Sequence, residues 1–291
     1  MQAFGGKTVL ITGASTGIGR ATALRLAQSG WTVLAGVRDP AAGERLVADA
    51  PATGRVIPLT LDVTDPEQIA AAARIIDEQT RLPEQPGTGR LDALVNNAGI
   101  GTGGPLELQP LEEVRRTLEV NAVGQVAVTQ AMLPALRRAR GRIVFVSSVG
   151  GRVAMGFNAA YAASKHALEA IADALRVELR TSNVQVALIE PASVATPIWE
   201  KAGTEVEQAS IPPEFQEQYG QVPAAMDKLV KNLAQRGIPP ERIAETIERA
   251  LTAPRMKARY LVGREAKAML LAKRLLPDLV FDRLATRVLG V

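Results

Sequence analysis

Tyr161 and Lys165 stand four residues apart in the stretch Tyr161-Ala162-Ala163-Ser164-Lys165. On a helix that spacing puts them one turn apart on one face. A free phenol has a pKa near ~10, so at neutral pH it is a poor base. A lysine cation beside it favours the phenolate and lowers that pKa. Such a pair can give a proton to a substrate oxygen, or take one, near working pH. Alone, the spacing has a plainer explanation: an aromatic ring resting on an aliphatic stem. The chemistry becomes credible only if the rest of the chain builds a site around it.

Other chemistries are narrowed by what the chain lacks. It has no cysteine, which removes disulfides, cysteine nucleophiles and thiolate metal sites and fits a reducing, cytoplasmic setting. His166 is the only histidine, so a Ser-His-Asp triad or a histidine metal site would have to be built on it, and no metal is expected. The 291 residues are 47% hydrophobic and 22% charged, an ordinary globular composition sized for one large α/β domain or two small ones. The net charge of +4 is mild and dispersed, without aromatic–basic interleaving, so nucleic-acid binding is not expected. The first residues show no signal-peptide pattern, and no apolar run is long enough to span a bilayer.

The elements that must position the pair can be read in order. Thr8-Val9-Leu10-Ile11 is a short β-rich run, followed by Thr12-Gly13-Ala14-Ser15-Thr16-Gly17-Ile18-Gly19. A helical pattern comes next, with Ile18, Ala21, Leu24 and Ala27 on one face and Gly30 at its end, and then a strand over 32–36. Strand, glycine turn, helix and strand make a βαβ unit. The glycines allow a sharp turn and close backbone approach, and the helix N-terminus offers amide donors to a diphosphate. Further strands are expected over 56–61, 91–95, 142–146, 184–189 and 259–263. Helices are expected from Thr64-Asp65-Pro66-Glu67 to about 79, over 111–118 and 122–138 with a possible kink at Pro134, from the Tyr161 region to about 181, and over 238–251. Residues 81–89 read as an exposed loop. Alternating strands and helices predict a doubly wound, Rossmann-type parallel sheet of about seven strands with helices on both faces, one domain with a C-terminal helical extension. Ligands bind such sheets at the carboxyl ends of the strands, and Gly13, Arg38, Asp62, Asn97, Ser148 and Pro191 all fall there.

The residue after the second strand selects the cofactor. An acid there would receive the adenosine ribose hydroxyls of NAD and repel a 2′-phosphate. The chain has Val37-Arg38, and a guanidinium offers forked donors suited to phosphate, so NADP(H) is favoured, with NAD(H) still open.

Taken together, these residues resemble the short-chain dehydrogenase/reductase family. The resemblance rests on Thr12-Gly13-x3-Gly17-Ile18-Gly19, Asn96-Asn97-Ala98-Gly99, Asn121, Ser148, Tyr161-x3-Lys165 and Pro191-x4-Thr196, and covers roughly residues 5–200. The stretches 147–151 and 259–263 look most like the branch with steroid and retinol dehydrogenases. The resemblance implies that Tyr161 is the general acid in reduction and the base in oxidation. It implies that Lys165 lowers the phenol pKa and holds the nicotinamide ribose, that Ser148 stabilises the charge on the substrate oxygen, and that Asn121 holds a water linking Lys165 to solvent. By the same resemblance Gly13, Ser15, Thr16, Gly17, Ile18 and Gly19 face the diphosphate and Asp62 with Val63 the adenine. Asn97, Ala98 and Gly99 would lie toward the adenosine ribose, and Pro191, Val194 and Thr196 toward the nicotinamide. Two departures stand out: Ala192 replaces the family's glycine after the proline, and position 16, often basic in NADP members, is threonine. His166 matches no family role and reads as a helix residue near the rim of the site.

The expected activity is interconversion of an apolar alcohol with its ketone or aldehyde. The rival is a dinucleotide-sensing protein without catalysis. The catalytic domain would span 1–263, with 196–221 a lid over the substrate or a plain loop. The tail, 264–291, carries Lys267, Lys273, Arg274, Arg283 and Arg287 among leucines; it is a candidate lid, subunit contact or peripheral membrane contact, or simply helices packed on the domain. The resemblance implies a homodimer or homotetramer.

Overall fold

The structure is a computed structural model and describes residues 6–81, 85, 87–196 and 211–289. Its centre is β1 (Thr8–Thr12), buried at every residue. Val9 and Ile11 enter one hydrophobic cluster and Leu10 enters another, so side chains alternate between two covered faces of a sheet. The other strands are β2 (Thr32–Val37), β3 (Arg55–Thr60), β4 (Ala93–Asn96), β5 (Arg142–Val146), β6 (Gln185–Pro191) and β7 (Arg259–Val262). All pair in parallel, in the order β3-β2-β1-β4-β5-β6-β7. The chain winds outward from β1 to β3, then crosses to β4 on the other side of β1. That reversal opens a crevice at the carboxyl ends of β1 and β4.

Helices α1 (Gly17–Gln28), α2 (Pro40–Ala48), α3 (Pro66–Thr80), α4 (Leu111–Leu118), α5 (Gly124–Ala139), α6 (Ala159–Glu178), α7 (Val222–Arg236), α8 (Pro240–Thr252), α9 (Arg264–Leu275) and α10 (Asp278–Leu289) complete the architecture. Leu26 of α1 and Ile243, Ile247 and Leu251 of α8 cover one face with Val33, Val95, Val144 and Ile189. On the other face Ile69 and Ile76 of α3, Val128, Met132 and Leu136 of α5, and Leu168 and Ala172 of α6 pack on Leu34, Leu94, Ile143 and Phe145. The helix start read at residues 64–67 is borne out: Asp65 caps α3 by accepting from the amides of Glu67 and Gln68, with Pro66 in the first turn.

Some elements differ from the sequence reading. Helix α2, capped by Asp39 through the Ala41 amide, and α7 are additional. The two helices expected around Asn121 are one run, α4 and α5 joined by a π-turn over Glu119–Val123. Pro134 lies inside α5 without ending it. Most of the proposed lid, 197–210, and residues 82–84 and 86 of the exposed loop lie outside the described residues. The tail forms α9 and α10, with Phe281 buried and Leu271, Leu275, Leu279 and Leu284 exposed.

Candidate active site

The strand ends converge on a cavity of about 830 Å³. The catalytic and cofactor residues expected from the sequence all line it except Gly19 and Asn121.

One end of the cavity is built by the turn between β1 and α1. Gly13 and Gly17 have φ of +65° and +54°, which favours glycine. At Gly19 a side chain is excluded by packing: a Cβ would lie 2.2 Å from the Gly13 carbonyl oxygen. Thr16, at the start of α1, makes no side-chain cap bond, and the first turn holds no acid. The helix end therefore keeps its amide donors and positive dipole for an anion. Asn97 fixes the turn from beneath, its Nδ2 donating to the carbonyls of Thr12 (2.9 Å) and Gly13 (3.0 Å). Thr12 Oγ1 in turn accepts from the amides of Asn97 and Ala98, locking the ends of β1 and β4 together. The bare backbone of the turn fits the diphosphate of a dinucleotide.

Beyond β2 and β3 lie Arg38 and Asp62, where sequence placed them. Burial works to raise the Asp62 carboxyl, but hydrogen bonds from the Thr64 amide and hydroxyl and the cations of Arg38 and Arg116 pull it below its usual value. Arg116, from α4, escaped the sequence reading. It borders both the main cavity and the smaller hollow beside Arg38 and Asp62. It had no local motif to signal it; only the packing of α4 brings it there.

The other end holds Ser148, Tyr161 and Lys165. Tyr161 and Lys165 project from one face of α6, both buried. Ser148 follows β5, accepts from the Gly150 amide at 3.0 Å and hydrogen-bonds the Tyr161 phenol. Lys165 Nζ donates to the Val146 carbonyl at 2.9 Å and lies 5.7 Å from the centre of the Tyr161 ring. Here the electrostatics correct the sequence expectation. Burial pushes the Tyr161 phenol up, opposed by the Ser148 hydrogen bond rather than by the lysine. Lys165 is itself pushed down to about 8 by burial, opposed by Glu169. Removal from water outweighs a cation separated from the phenol by this geometry.

Asn121, in the π-turn, is fully buried. Its Oδ1 accepts from the Ile100 amide (2.8 Å), and Nδ2 donates to the Ile100 carbonyl (2.9 Å) and to Ser164 Oγ (3.0 Å). Both amide hydrogens are thus spent on clamping the loop after β4 to the helix that carries Tyr161 and Lys165. Ala192 lies on the cavity wall, where its methyl is accommodated by Gly263: a Cβ on that glycine would lie 2.9 Å from the Ala192 Cβ. His166 points outward, exposed, its Nδ1 on the Ala162 carbonyl at 2.8 Å, and takes no part in the cavity.

Beside the Ser148–Tyr161 end the wall is mostly apolar. Gly101 to Pro105, Leu108, Pro110, Ile211, Pro212, Val222 and Pro223 contribute, with Thr102 and Glu113 hydrogen-bonded to each other at 2.6 Å. Ile211 and Pro212 come from the described end of the expected lid. Among the described residues, none of α9 or α10 lines the cavity.

Comparison with known proteins agrees with this geometry. A family model described as short chain dehydrogenase matches residues 7–207. Retinol dehydrogenase 5 of Mus musculus is 37% identical over 97% of this chain and 88% of its own length. An NADPH-dependent 3-dehydrocapnine reductase of Ornithobacterium rhinotracheale is 33% identical over 94% of each chain. Among solved structures, a short chain dehydrogenase/reductase from Burkholderia phymatum in complex with NAD superposes with a TM-score of 0.78 at 26% identity, over 94% of this chain and 95% of that one.

Proposed function

The chain belongs to the short-chain dehydrogenase/reductase family, in its retinol and hydroxysteroid dehydrogenase branch, and on that premise we propose that it is an NADP(H)-dependent oxidoreductase interconverting an apolar alcohol with its ketone or aldehyde. The observation that carries this reading is the cavity itself: a glycine turn and an open helix N-terminus at one end, and Ser148, Tyr161 and Lys165 at the other. When bound, the nicotinamide would supply or accept the hydride.

The protein's own residues handle position and protons. The Tyr161 phenol, raised by burial, stays protonated at neutral pH and serves as the acid that delivers a proton to a substrate carbonyl oxygen. In the reverse direction it takes the alcohol proton. Ser148 donates to the same oxygen and stabilises its growing negative charge. Lys165 spends one N–H on Val146 and keeps two for the hydroxyls of the nicotinamide ribose. Asn121 keeps α6 in register with the loop over the cofactor. The complete Ser148, Tyr161 and Lys165 set favours catalysis over a sensing role.

Preference for NADP(H) is supported by Arg38 and Arg116 at the adenosine end, and by the NADPH dependence in the name of the bacterial relative. An apolar substrate is supported by the Leu108, Pro110, Ile211, Pro212 and Val222 wall and by the retinol of the mouse relative's name. The test is NADPH oxidation against a panel of steroid ketones, retinoid aldehydes and small ketones, with NADPH and NADH affinities measured in parallel for the parent and Arg38→Asp. The proposal expects turnover on an apolar carbonyl, tighter NADPH binding in the parent, and reversal of that preference in the variant. Tight cofactor binding with no turnover on any of the panel would overturn it.

A further inference from the structure

Tyr161, Lys165, Glu169 and Asp173 recur at four-residue steps along α6, so one stripe of the helix carries the phenol, the ammonium and then two acids. Glu190, the residue before Pro191 on β6, faces this stripe. Glu190 is 1% exposed and Glu169 7%. Arg259 of β7 serves both: its Nε donates to Glu169 Oε2 at 3.0 Å and lies 3.0 Å from Glu190 Oε1, while Nη2 donates to Asp173 at 2.7 Å. Arg152, just after the Ser148 turn, approaches Glu190 Oε2 at 3.5 Å, and Arg176 pairs with Asp173 at 2.7 Å.

Donors are short at the centre of this cluster. The single hydrogen on Arg259 Nε goes to Glu169, so Glu190 Oε1 lies near a cation without receiving a bond from any described residue. Glu169 Oε1 is also buried and has no donor among the described residues. Arg259 Nε lies 3.0 Å from an oxygen of each carboxyl, so the one guanidinium gathers both acids at a single point. Two ionised carboxylates have only acceptors to offer, and a proton between them supplies the missing donor.

We propose that Glu169 and Glu190 share one proton, and that this buried pair is a positioning device for Lys165, its negative charge holding the ammonium protonated inside the apolar core. The electrostatics agree. Burial, then the charge of Glu169, pushes the Glu190 carboxyl up to about 7 against the pull of Arg152 and Arg259. Glu169 is likewise the influence that opposes the burial of Lys165. The pair carries one negative charge below neutral pH and two above it. The second charge arrives as the medium begins to strip the lysine, and so extends the range in which Lys165 stays cationic. The role assigned to the pair rests on the reading of Lys165 as the partner of Tyr161 in proton transfer.

Three measurements test it. In cofactor-free parent protein with 13C-labelled glutamate, one carboxyl resonance should titrate near neutrality; titration of every glutamate near its ordinary value would overturn the shared proton. Next, Glu190→Gln supplies a permanent amide donor to Glu169. A carboxyl raised in the folded state binds its proton more tightly there than in the unfolded chain, so it loses stability as pH rises from 4.5 to about 7. The Tm of the parent should therefore fall relative to Glu190→Gln across that window, and parallel Tm curves would overturn the proposal. Finally, the alkaline limb of the turnover–pH profile should move to lower pH by about half a unit or more in Glu169→Gln and Glu190→Gln, and return in Glu169→Asp. Limbs that superimpose in variants that melt at or above the parent's Tm would contradict the positioning role. Absence of turnover in the parent would defeat the proposed activity instead, leaving the two cofactor-free readouts to decide the shared proton.

Discussion

Replacing Lys165 by methionine should make the cofactor-free protein more stable at neutral pH while abolishing its chemistry. The ammonium is buried at the bottom of the cavity with one hydrogen bond among the described residues, to the Val146 carbonyl at 2.9 Å. Its pKa falls from 10.5 to about 8, which at about 1.36 kcal/mol per unit corresponds to about 3 kcal/mol of penalty for the charged form. Methionine fills a similar volume without that penalty but leaves the carbonyl without its donor, a loss of about 1 kcal/mol. The net expectation at pH 7 is a gain of about 2 kcal/mol, roughly 4–8 °C in Tm for a chain of this size. The sign reverses with pH. A lysine depressed in the folded state carries its full penalty below about 8 and sheds it as pH rises to 10.5. The parent should therefore recover about 3 kcal/mol over that window relative to the variant and become the more stable protein by about 1 kcal/mol. Urea unfolding of both proteins at pH 7 and pH 10.5 measures this directly. A variant less stable than the parent at pH 7, or a difference that does not change with pH, would refute the reasoning that burial dominates the electrostatics of this site.

Two other substitutions probe the positioning elements. Asn121→Ala removes the three hydrogen bonds of a buried side chain and should cost about 3 kcal/mol, read as a lower midpoint in urea; an unchanged midpoint would mean that the clamp between the Ile100 loop and α6 is dispensable. Arg116→Ala should weaken NADPH binding roughly tenfold, the size of one charge-assisted hydrogen bond, and leave NADH binding unaffected; equal loss of both in titration calorimetry would assign Arg116 to the adenine rather than to a 2′-phosphate.

The sheet was legible because its strands are short apolar runs that alternate with amphipathic helices, and because the glycine turn leaves a fixed spacing. Gly13, Gly17 and Gly19 could be read from sequence since each is needed locally, by φ or by close backbone contact. Helix α2 was harder to see because only Gly43 and Leu46 of it are buried, so its apolar stripe is thin. The π-turn at Asn121 inserts one residue into a continuous helix and leaves no compositional trace. The electrostatics were the least legible. A tyrosine and a lysine four apart suggest that the cation lowers the phenol. The structure buries both, and burial is set by the whole core rather than by the spacing. Arg116 and Arg259 likewise come near the site only through packing of elements distant in sequence.

The central claim, that Tyr161 moves the proton in a hydride-transfer site, is tested most directly by Tyr161→Phe. That change removes one hydroxyl from a buried ring and leaves the glycine turn, Arg38 and Lys165 in place. The account predicts that turnover falls by about 10²–10⁴-fold, the usual share of general acid–base catalysis, while NADPH affinity measured by fluorescence titration stays within about twofold of the parent. Turnover within a few-fold of the parent, with NADPH binding intact, would contradict it.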